Sequence, residues 1–234
     1  MEIAIMGAGL SGLAAALTLE RMGIDFTIFE KRSEVGDRFT NCEILLSLLT
    51  KPIKDHLSFL SDNYNLNLYP VSNINKLTIY SQNEKTEIKG MLGFTNIRGR
   101  DEEAFEKQLH RQLKAKVIYN SKYKYRQLQK NFTHIILATG DAAYSLKLNN
   151  YKKALTVTLK GATVEGVFTK STVRAWLNND FAPKGYGYLI PISEKEANIV
   201  IGFPDYPENQ RKNIQNLWEK FYNNVCLDLR QKLQ

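Results

Sequence analysis

The chain has 234 residues, 43% of them hydrophobic and 24% charged, so it can bury a substantial core and does not have the composition of a disordered protein. No apolar run approaches the ~18 residues of a membrane span. The net charge of +8 is spread along the chain without a recognisable nucleic-acid-binding module, so we expect no nucleic-acid partner. A basic surface suits anionic cofactors, phosphorylated substrates or, at most, peripheral contact with an acidic membrane.

Residues 3–30 predict a strand, a glycine-rich turn, a helix and a second strand that ends on Glu30. Gly7 permits a tight turn, Gly9 leaves room for a pyrophosphate beside the backbone, and Gly12 lets the helix pack closely on the sheet. The helix N-terminus favours an anion, and the acid is placed to bind a ribose hydroxyl. The order of these elements predicts a dinucleotide site. Its predicted cofactor-binding residues are Gly7, Ala8, Gly9, Leu10, Ser11, Gly12 and Glu30.

The residues after Glu30 help to distinguish FAD from NADP. Lys31 and Arg32 are placed where an NADP enzyme could contact a 2′-phosphate. The segment Gly36-Asp37-Arg38, however, resembles the extended fingerprint of FAD-binding proteins, in which a Gly-Gly-Arg-like turn follows the acid. Asp37 replaces the second glycine of that turn. The pattern favours FAD and adds Lys31 and Arg38 to the predicted cofactor contacts.

A second nucleotide element follows about a hundred residues later, where residues 134–137 form an apolar strand that runs into Ala138-Thr139-Gly140. This turn resembles the Ala-Thr-Gly segment that flavoproteins of the glutathione reductase-type superfamily place beside FAD. We therefore expect Ala138, Thr139 and Gly140 to bind the cofactor. Periodicity predicts helices at 52–63 and 101–113, a hairpin at 77–80 and 86–88, and a strand at 116–119.

From about residue 151 the pattern becomes a run of strands separated by turns, which predicts a mainly antiparallel sheet. An amphipathic helix follows, and its long apolar stripe needs a partner, either the sheet or another chain. The predicted fold class is α/β: a Rossmann-like FAD-binding domain at 1–150 with a helical and hairpin insertion at about 39–98, a substrate-domain sheet at 151–207, and a C-terminal helix at 208–234. The predicted strands of the substrate sheet are 155–159, 163–168, 172–177, 185–190 and 198–203.

A narrower resemblance lies in the segment Pro183-Lys-Gly-Tyr186-Gly-Tyr188-Leu-Ile190-Pro191. It is similar to the PxxYxWxFP segment of the geranylgeranyl reductase family, with Tyr188 at the tryptophan position and Ile190 at the phenylalanine position. Those flavoenzymes saturate carbon–carbon double bonds of isoprenoid chains. The family continues into a Gly-Asp segment that contacts FAD and into further helices, whereas Gly140-Asp141 here is more simply the continuation of the Ala-Thr-Gly strand.

In a strand, Tyr186, Tyr188 and Ile190 share one face, which is broad and aromatic, while Gly185 and Gly187 leave the other face nearly bare. The aromatic face suits an elongated apolar substrate or a flavin edge, and core packing is the competing interpretation. The resemblance also places a cysteine near the flavin. The predicted substrate-binding residues are Tyr186, Tyr188, Trp176 and Cys42.

These patterns predict an FAD-dependent oxidoreductase. The resemblance to geranylgeranyl reductases implies that it reduces carbon–carbon double bonds of an isoprenoid or other apolar substrate, with NAD(P)H or a redox partner as a possible electron donor. A flavin-dependent monooxygenase and a shortened nucleotide-binding or assembly module without turnover are the alternatives. Oligomerisation through the C-terminal helix is a further possibility. Two cysteines, no metal-ligand spacing among the three histidines, and a glycine motif too close to Met1 for a signal peptide predict a cytoplasmic, metal-free protein.

Overall fold

The computed structural model describes residues 2–140 and 142–234. Asp141, which follows the Ala-Thr-Gly segment, lies outside the described residues. The chain divides into two compact units. Unit 1 comprises Met1–Asn41, Asp55–Tyr69 and Asn96–Lys152, and unit 2 comprises Cys42–Lys54, Pro70–Thr95 and Lys153–Gln234.

Strands and helices alternate in the first part of the chain, and strands dominate the second. The strands are β1 (Ile3–Met6), β2 (Phe26–Phe29), β3 (Asn41–Leu46), β4 (Ser72–Ser81), β5 (Lys85–Arg98), β6 (Val117–Ile118), β7 (His134–Leu137), β8 (Val157–Glu165), β9 (Thr172–Leu177), β10 (Tyr186–Pro191) and β11 (Glu196–Pro204). The helices are α1 (Leu10–Arg21), α2 (His56–Tyr64), α3 (Phe105–Gln112), α4 (Tyr125–Asn131), α5 (Ala143–Lys147) and α6 (Ile214–Leu229), and a 3-10 turn spans Ser47–Leu49.

Unit 1 is built on a four-stranded parallel sheet in the order β6-β2-β1-β7. Helix α1 packs its buried residues Leu13, Ala16 and Leu17 on one face of this sheet together with Leu109 of α3. Leu128 of α4 packs on the other face. Helices on both faces of a parallel sheet confirm the predicted Rossmann-like α/β fold.

Unit 2 holds a seven-stranded sheet in the order β3-β5-β4-β9-β10-β11-β8. The pairs β4–β5, β9–β10, β10–β11 and β11–β8 are antiparallel, as predicted, and β4 pairs with β9 in parallel. The hairpin formed by β4 and β5 thus joins the same sheet as the strands from the C-terminal part of the chain.

One expectation about this sheet is wrong, because residues 155–159 and 163–168 do not form two strands. They contribute to the single strand β8, which runs through Gly161 without a turn. A Cβ at residue 161 would come within 2.7 Å of Val200 Cγ2 on the neighbouring strand. The glycine therefore accommodates a close neighbour within the strand instead of marking a turn.

Helix α6 covers one face of the sheet of unit 2. It begins later than predicted, at Ile214, because the Asn213 side chain accepts hydrogen bonds from the first-turn amides and fixes the start there. Its buried residues Leu217, Phe221 and Val225 lie in the same hydrophobic cluster as the strands. Of the two partners expected for the apolar stripe, the sheet of the same chain is the one observed. Within the described residues, no helix is both long and apolar enough to cross a membrane.

Candidate functional site

The glycine turn of unit 1 is closely packed at two of its three glycines. Gly7 has a φ of +105°, donates its N–H to the carbonyl of Phe29 at 2.8 Å, and would place a Cβ 2.4 Å from the carbonyl oxygen of Ala138. A Cβ on Gly12 would lie 1.9 Å from the carbonyl oxygen of Gly7. Both positions therefore require glycine, because the helix, the turn and strand β7 meet there.

Gly9 differs from the other two glycines of the motif, since among the described residues no atom outside the adjoining backbone lies within 4 Å of the Cβ that it lacks. It is the N-cap of α1, and no side-chain cap or first-turn acid is found at this helix terminus among the described residues. The amide N–H groups and the positive end of the helix dipole therefore remain available to an anion. The open space at Gly9 is what the close approach of a pyrophosphate requires.

Glu30 lies at the end of β2 and is tied to the glycine turn. Its Oε2 accepts the N–H of Ala8 at 2.7 Å, and its Oε1 accepts the N–H of Arg32 at 2.9 Å. The hydrogen bond from the Ala8 amide thus fixes the position of the Glu30 carboxylate in this structure. The carboxylate is held at the edge of the turn, where the adenosine ribose of a dinucleotide is bound in this fold.

Two cavities meet at the glycine turn. The larger has a volume of about 830 Å³ and the smaller about 640 Å³, and they share Gly7, Glu30, Arg32 and Thr139. Lys31 lines the smaller cavity, together with lysines at 122, 124 and 147. The larger cavity is lined by Gly7, Ala8, Gly9, Leu10, Ser11, Glu30, Arg32, Glu34, Gly36, Asp37, Arg38, Phe39, Arg98, Arg100, Glu106, Ala138, Thr139 and Gly140.

This arrangement brings together the cofactor residues predicted from sequence in unit 1. Gly7–Ser11, Glu30, Arg38 and 138–140 line the larger cavity, and Gly12 packs directly behind it. An open glycine cradle, an uncapped helix N-terminus and an acid at the edge are the groups that a dinucleotide needs. The residues present therefore fit FAD.

The imperfect Gly36-Asp37-Arg38 turn is packed against residues 98–100. Gly36 has a φ of +73°, and a Cβ there would lie 2.5 Å from the carbonyl oxygen of Gly99. Arg100 Nη2 contacts Asp37 Oδ1 at 2.9 Å, and its Nε donates to the same oxygen. The hydrogen bond from Arg100, supported by Ser33, lowers the pKa of Asp37 below its ordinary value. Asp37, which departs from the family pattern, thus fastens this turn to Arg100.

Asp37→Asn is expected to cost its full amount of stability above the ordinary carboxyl pKa of 3.8, where Asp37 is charged in both the folded and the unfolded chain. Because the folded pKa is lowered, the advantage of the native protein is lost as the pH falls from about 4 through that folded value. The measurement is the melting temperature of both proteins from pH 7 to pH 3. Arg100→Gln should weaken the same pH dependence, and a stability difference between the native protein and Asp37→Asn that does not change with pH would contradict the assignment.

A buried ion pair in the larger cavity was not foreseen. Arg98 Nε donates to Glu106 Oε1 at 2.8 Å, and Glu106 is only 2% exposed. The sequence did contain a signal, because Glu106 has helical spacing to Leu109 and Leu113 and so falls on the apolar face of the predicted helix. A buried carboxylate needs a cation, but the sequence pattern did not indicate which arginine would supply it.

The predicted substrate residues all lie in unit 2. All but Trp176 belong to a single surface, which is called the tyrosine face. It is the face of the sheet that carries Tyr186, Tyr188 and Ile190 on β10. Tyr186 is 54% exposed, Tyr188 is half-buried and Ile190 is buried, and the two tyrosine rings lie 6.2 Å apart. The face therefore passes from an open end at Tyr186 to a closed end at Ile190.

Cys42 lies at the closed end. It is buried, and its backbone N–H donates to the Asn198 side-chain oxygen at 3.3 Å, with Asn198 paired to Ile190 on the neighbouring strand. Burial raises the pKa of the Tyr188 hydroxyl above its ordinary value, and the nearby Tyr186, Cys42 and Glu43 raise it further. Tyr188 consequently keeps its proton at neutral pH and can donate a hydrogen bond from this face.

Trp176 does not extend the tyrosine face, so this expectation is corrected. It pairs with Gly187, and directly paired residues on neighbouring strands point to the same side of a sheet, which here is the side opposite Tyr186 and Tyr188. Trp176 is buried under α6, where its Nε1 donates to Asp228 Oδ2 at 2.7 Å. The predicted bare face at Gly187 is filled by the ring of Phe221, which a Cβ would approach to 2.4 Å.

No group of three or more His, Cys, Asp or Glu side chains is placed to hold a metal ion in the parts of the chain that the structure describes.

Comparisons with known proteins agree with this site and fold. The NAD(P)-binding Rossmann-like domain family matches residues 5–45. The 4,4′-diapophytoene desaturase (4,4′-diaponeurosporene-forming) of Staphylococcus aureus strain Newman is 53% identical over 38 residues, which are 16% of this chain and 8% of the desaturase.

Similarity to solved structures extends over most of the chain. A geranylgeranyl bacteriochlorophyll reductase-like protein from Thermoplasma acidophilum superposes with a TM-score of 0.68 at 18% identity, covering 95% of this chain and 61% of that one. The tetrameric 2-methyl-3-hydroxypyridine-5-carboxylic acid oxygenase superposes with a TM-score of 0.61 at 17% identity, covering 87% and 59%. The present chain thus corresponds to about three fifths of the length of these proteins.

The fold and the glycine turn together define an α/β protein with a Rossmann-like dinucleotide-binding unit. Within that class, the resemblance to geranylgeranyl reductase-like proteins that the sequence indicated is confirmed in the fold. The matched domain family agrees with a dinucleotide at the glycine turn.

Proposed function

We propose that this protein is an FAD-dependent oxidoreductase that reduces a carbon–carbon double bond in an elongated apolar substrate. The observation that carries the proposal is the open glycine cradle at Gly9, set between an uncapped helix N-terminus and Glu30. The choice of an apolar substrate is supported by the aromatic and otherwise apolar character of the tyrosine face. NAD(P)H or a redox partner would supply electrons, and a cytoplasmic location is proposed from the cysteine content.

FAD, when bound, supplies the hydride chemistry, and the residues of the chain bind and orient the reactants. The amides that begin α1 hold the pyrophosphate, and Glu30 holds the adenosine ribose. Arg38 and residues 138–140 complete the cofactor contacts, with Lys31 at the adenosine end. On the tyrosine face, Tyr186 and Tyr188 present apolar rings, and the protonated Tyr188 hydroxyl is a hydrogen-bond donor. Cys42 closes the inner end of that face.

The first test is the colour of the purified protein. A yellow preparation with flavin absorbance, released as FAD on denaturation, supports the proposal. A colourless protein that takes up no added FAD would overturn it and favour the alternative of a nucleotide-binding or assembly module without turnover.

A flavin-dependent monooxygenase is the second candidate, and the similarity to the pyridine-ring oxygenase favours it. The two enzymes differ in their use of oxygen. The FAD-loaded protein should be reduced anaerobically and mixed with polyprenyl alkenes. Reoxidation of the flavin with loss of a double bond supports the reductase, whereas oxygen-dependent hydroxylation of the substrate supports the monooxygenase.

A further inference from the structure

Five neighbouring strands of unit 2 each place one residue in a row across the open end of the tyrosine face. Tyr186 pairs with Gly202, and Gly202 pairs with Leu159. Continuing the register of β9 against β10 places Leu177 beside Tyr186, and Ser81 pairs with Leu177. Since neighbouring strands lie about 4.8 Å apart, the row from Leu177 to Leu159 is roughly 14 Å long. Four of these five residues, Leu177, Tyr186, Gly202 and Leu159, are called the apolar row; Ser81 at its end is polar.

The apolar row is exposed over most of its length. Leu177 is 53% exposed, Tyr186 is 54% exposed and Leu159 is 66% exposed, and none of the four residues carries a charge. Gly202 helps to make the row continuous, because a Cβ there would lie 2.6 Å from Leu159 Cδ2. The leucine side chain thus lies across strand β11 in the space that the glycine leaves free. Contiguous exposed apolar side chains of this kind mark binding surfaces more often than isolated ones do.

The next row inward is less exposed and continues the same surface. Tyr188 pairs with Val200 on one side and with Ala175 on the other, and all three residues are buried or half-buried. The surface therefore slopes from the apolar row towards the closed end at Cys42. A ligand that reaches Tyr188 could extend its remaining length over the apolar row.

The size of the apolar row distinguishes between a small ligand and a protein partner. A stable protein interface buries about 800 Å² on each partner and involves about 20–30 residues a side. Three exposed side chains around one glycine fall far short of that requirement. They are sufficient to cover one side of a single extended hydrocarbon chain, which needs no charged or hydrogen-bonding partner.

We propose that the apolar row is a subsite that binds the extended hydrocarbon tail of the substrate, lying across the strands of unit 2. This inference rests on the proposed function only for the identity of the ligand as substrate. It assigns Leu159 and Leu177 as residues that determine how long a chain is preferred.

The test uses the full chain loaded with FAD and the rod-shaped apolar fluorophore diphenylhexatriene, whose emission rises in apolar surroundings. Leu159→Ser and Leu177→Ser should each weaken binding of the probe about threefold to tenfold. In the native protein the bound probe covers the exposed apolar surface of each leucine, and serine removes that surface. Leu227→Ser is the matched control. Leu227 is 76% exposed on α6, the helix that covers the other face of the sheet, and this variant should bind like the native protein.

Competition by geraniol, farnesol and geranylgeraniol tests the assignment to a tail. Affinity should increase with each added isoprene unit, and Leu159→Ser should reduce that increase. Native-like probe binding by both serine variants would overturn the proposal. Sedimentation would also overturn it if the native chain proved to be a dimer that the serine variants convert to monomer without a change in probe affinity, because the row would then bind a second copy of the chain. Flavin absorbance is read separately, so length-dependent binding in a protein that holds no FAD would support the row and refute the proposed function.

Discussion

Gly9→Val is expected to weaken FAD binding ~100-fold or more while leaving unit 1 folded. In the part of the chain that the structure describes, no atom beyond the adjoining backbone lies within 4 Å of the missing Cβ, so the valine side chain enters open space. It instead occupies the space beside the amides that begin α1, where the pyrophosphate must approach the backbone. The measurement is FAD affinity from quenching of flavin fluorescence, with circular dichroism to verify the fold.

Gly12→Val provides the contrast. A Cβ at that position would lie 1.9 Å from the carbonyl oxygen of Gly7, so the substitution should disrupt the packing of α1 on the turn and lower stability along with FAD binding. Retention of native FAD affinity by Gly9→Val would show that the pyrophosphate does not approach there. Loss of helical signal in Gly9→Val would equally contradict the assignment, because the space at Gly9 would then be structural.

Phe221→Ala is expected to lower the free energy of unfolding of unit 2 by about 3–5 kcal/mol. Phe221 is fully buried, and its ring lies against Trp176 and Phe181. The ring also fills the space over Gly187, so its removal leaves a cavity that the glycine cannot close. Chemical denaturation followed by tryptophan fluorescence measures the change, since Trp176 lies in this core.

Leu227→Ala is the control on the same helix. Leu227 is largely exposed, and alanine is at least as good a helix former, so the change should stay within about 0.5 kcal/mol. A small effect of Phe221→Ala, comparable with that of the control, would mean that α6 is not the element that completes the core of unit 2.

The strand, turn and helix of the candidate nucleotide site could be predicted from sequence because their physics is local. Gly7, Gly9 and Gly12 act within one strand, turn and helix, and Glu30 follows on the neighbouring strand. The elements themselves agree with the prediction, and α1 begins at Leu10 as the motif indicates. The same locality explains why the alternation of Tyr186 and Tyr188 on one face of a strand was predicted correctly.

Features that depend on pairing between distant segments could not be predicted in the same way. The side of the sheet on which Trp176 lies is decided by its register against β10, and sequence proximity gives no information about that register. The pairing of the β4–β5 hairpin with β9 depends on residues almost a hundred positions away. The two-residue strand β6 and the short helix α5 carry too few residues for periodicity to define them.

The two units are interleaved along the chain, which crosses between them five times. Neither unit corresponds to a continuous stretch of sequence, so no single cut would release either one as a complete fragment. During synthesis, unit 1 lacks strand β7 until residues 134–137 have emerged from the ribosome. The core of unit 2 is incomplete until α6 has been synthesised. Nascent chains arrested before that helix should therefore remain sensitive to protease in both the β4–β5 hairpin and the strands that follow residue 153.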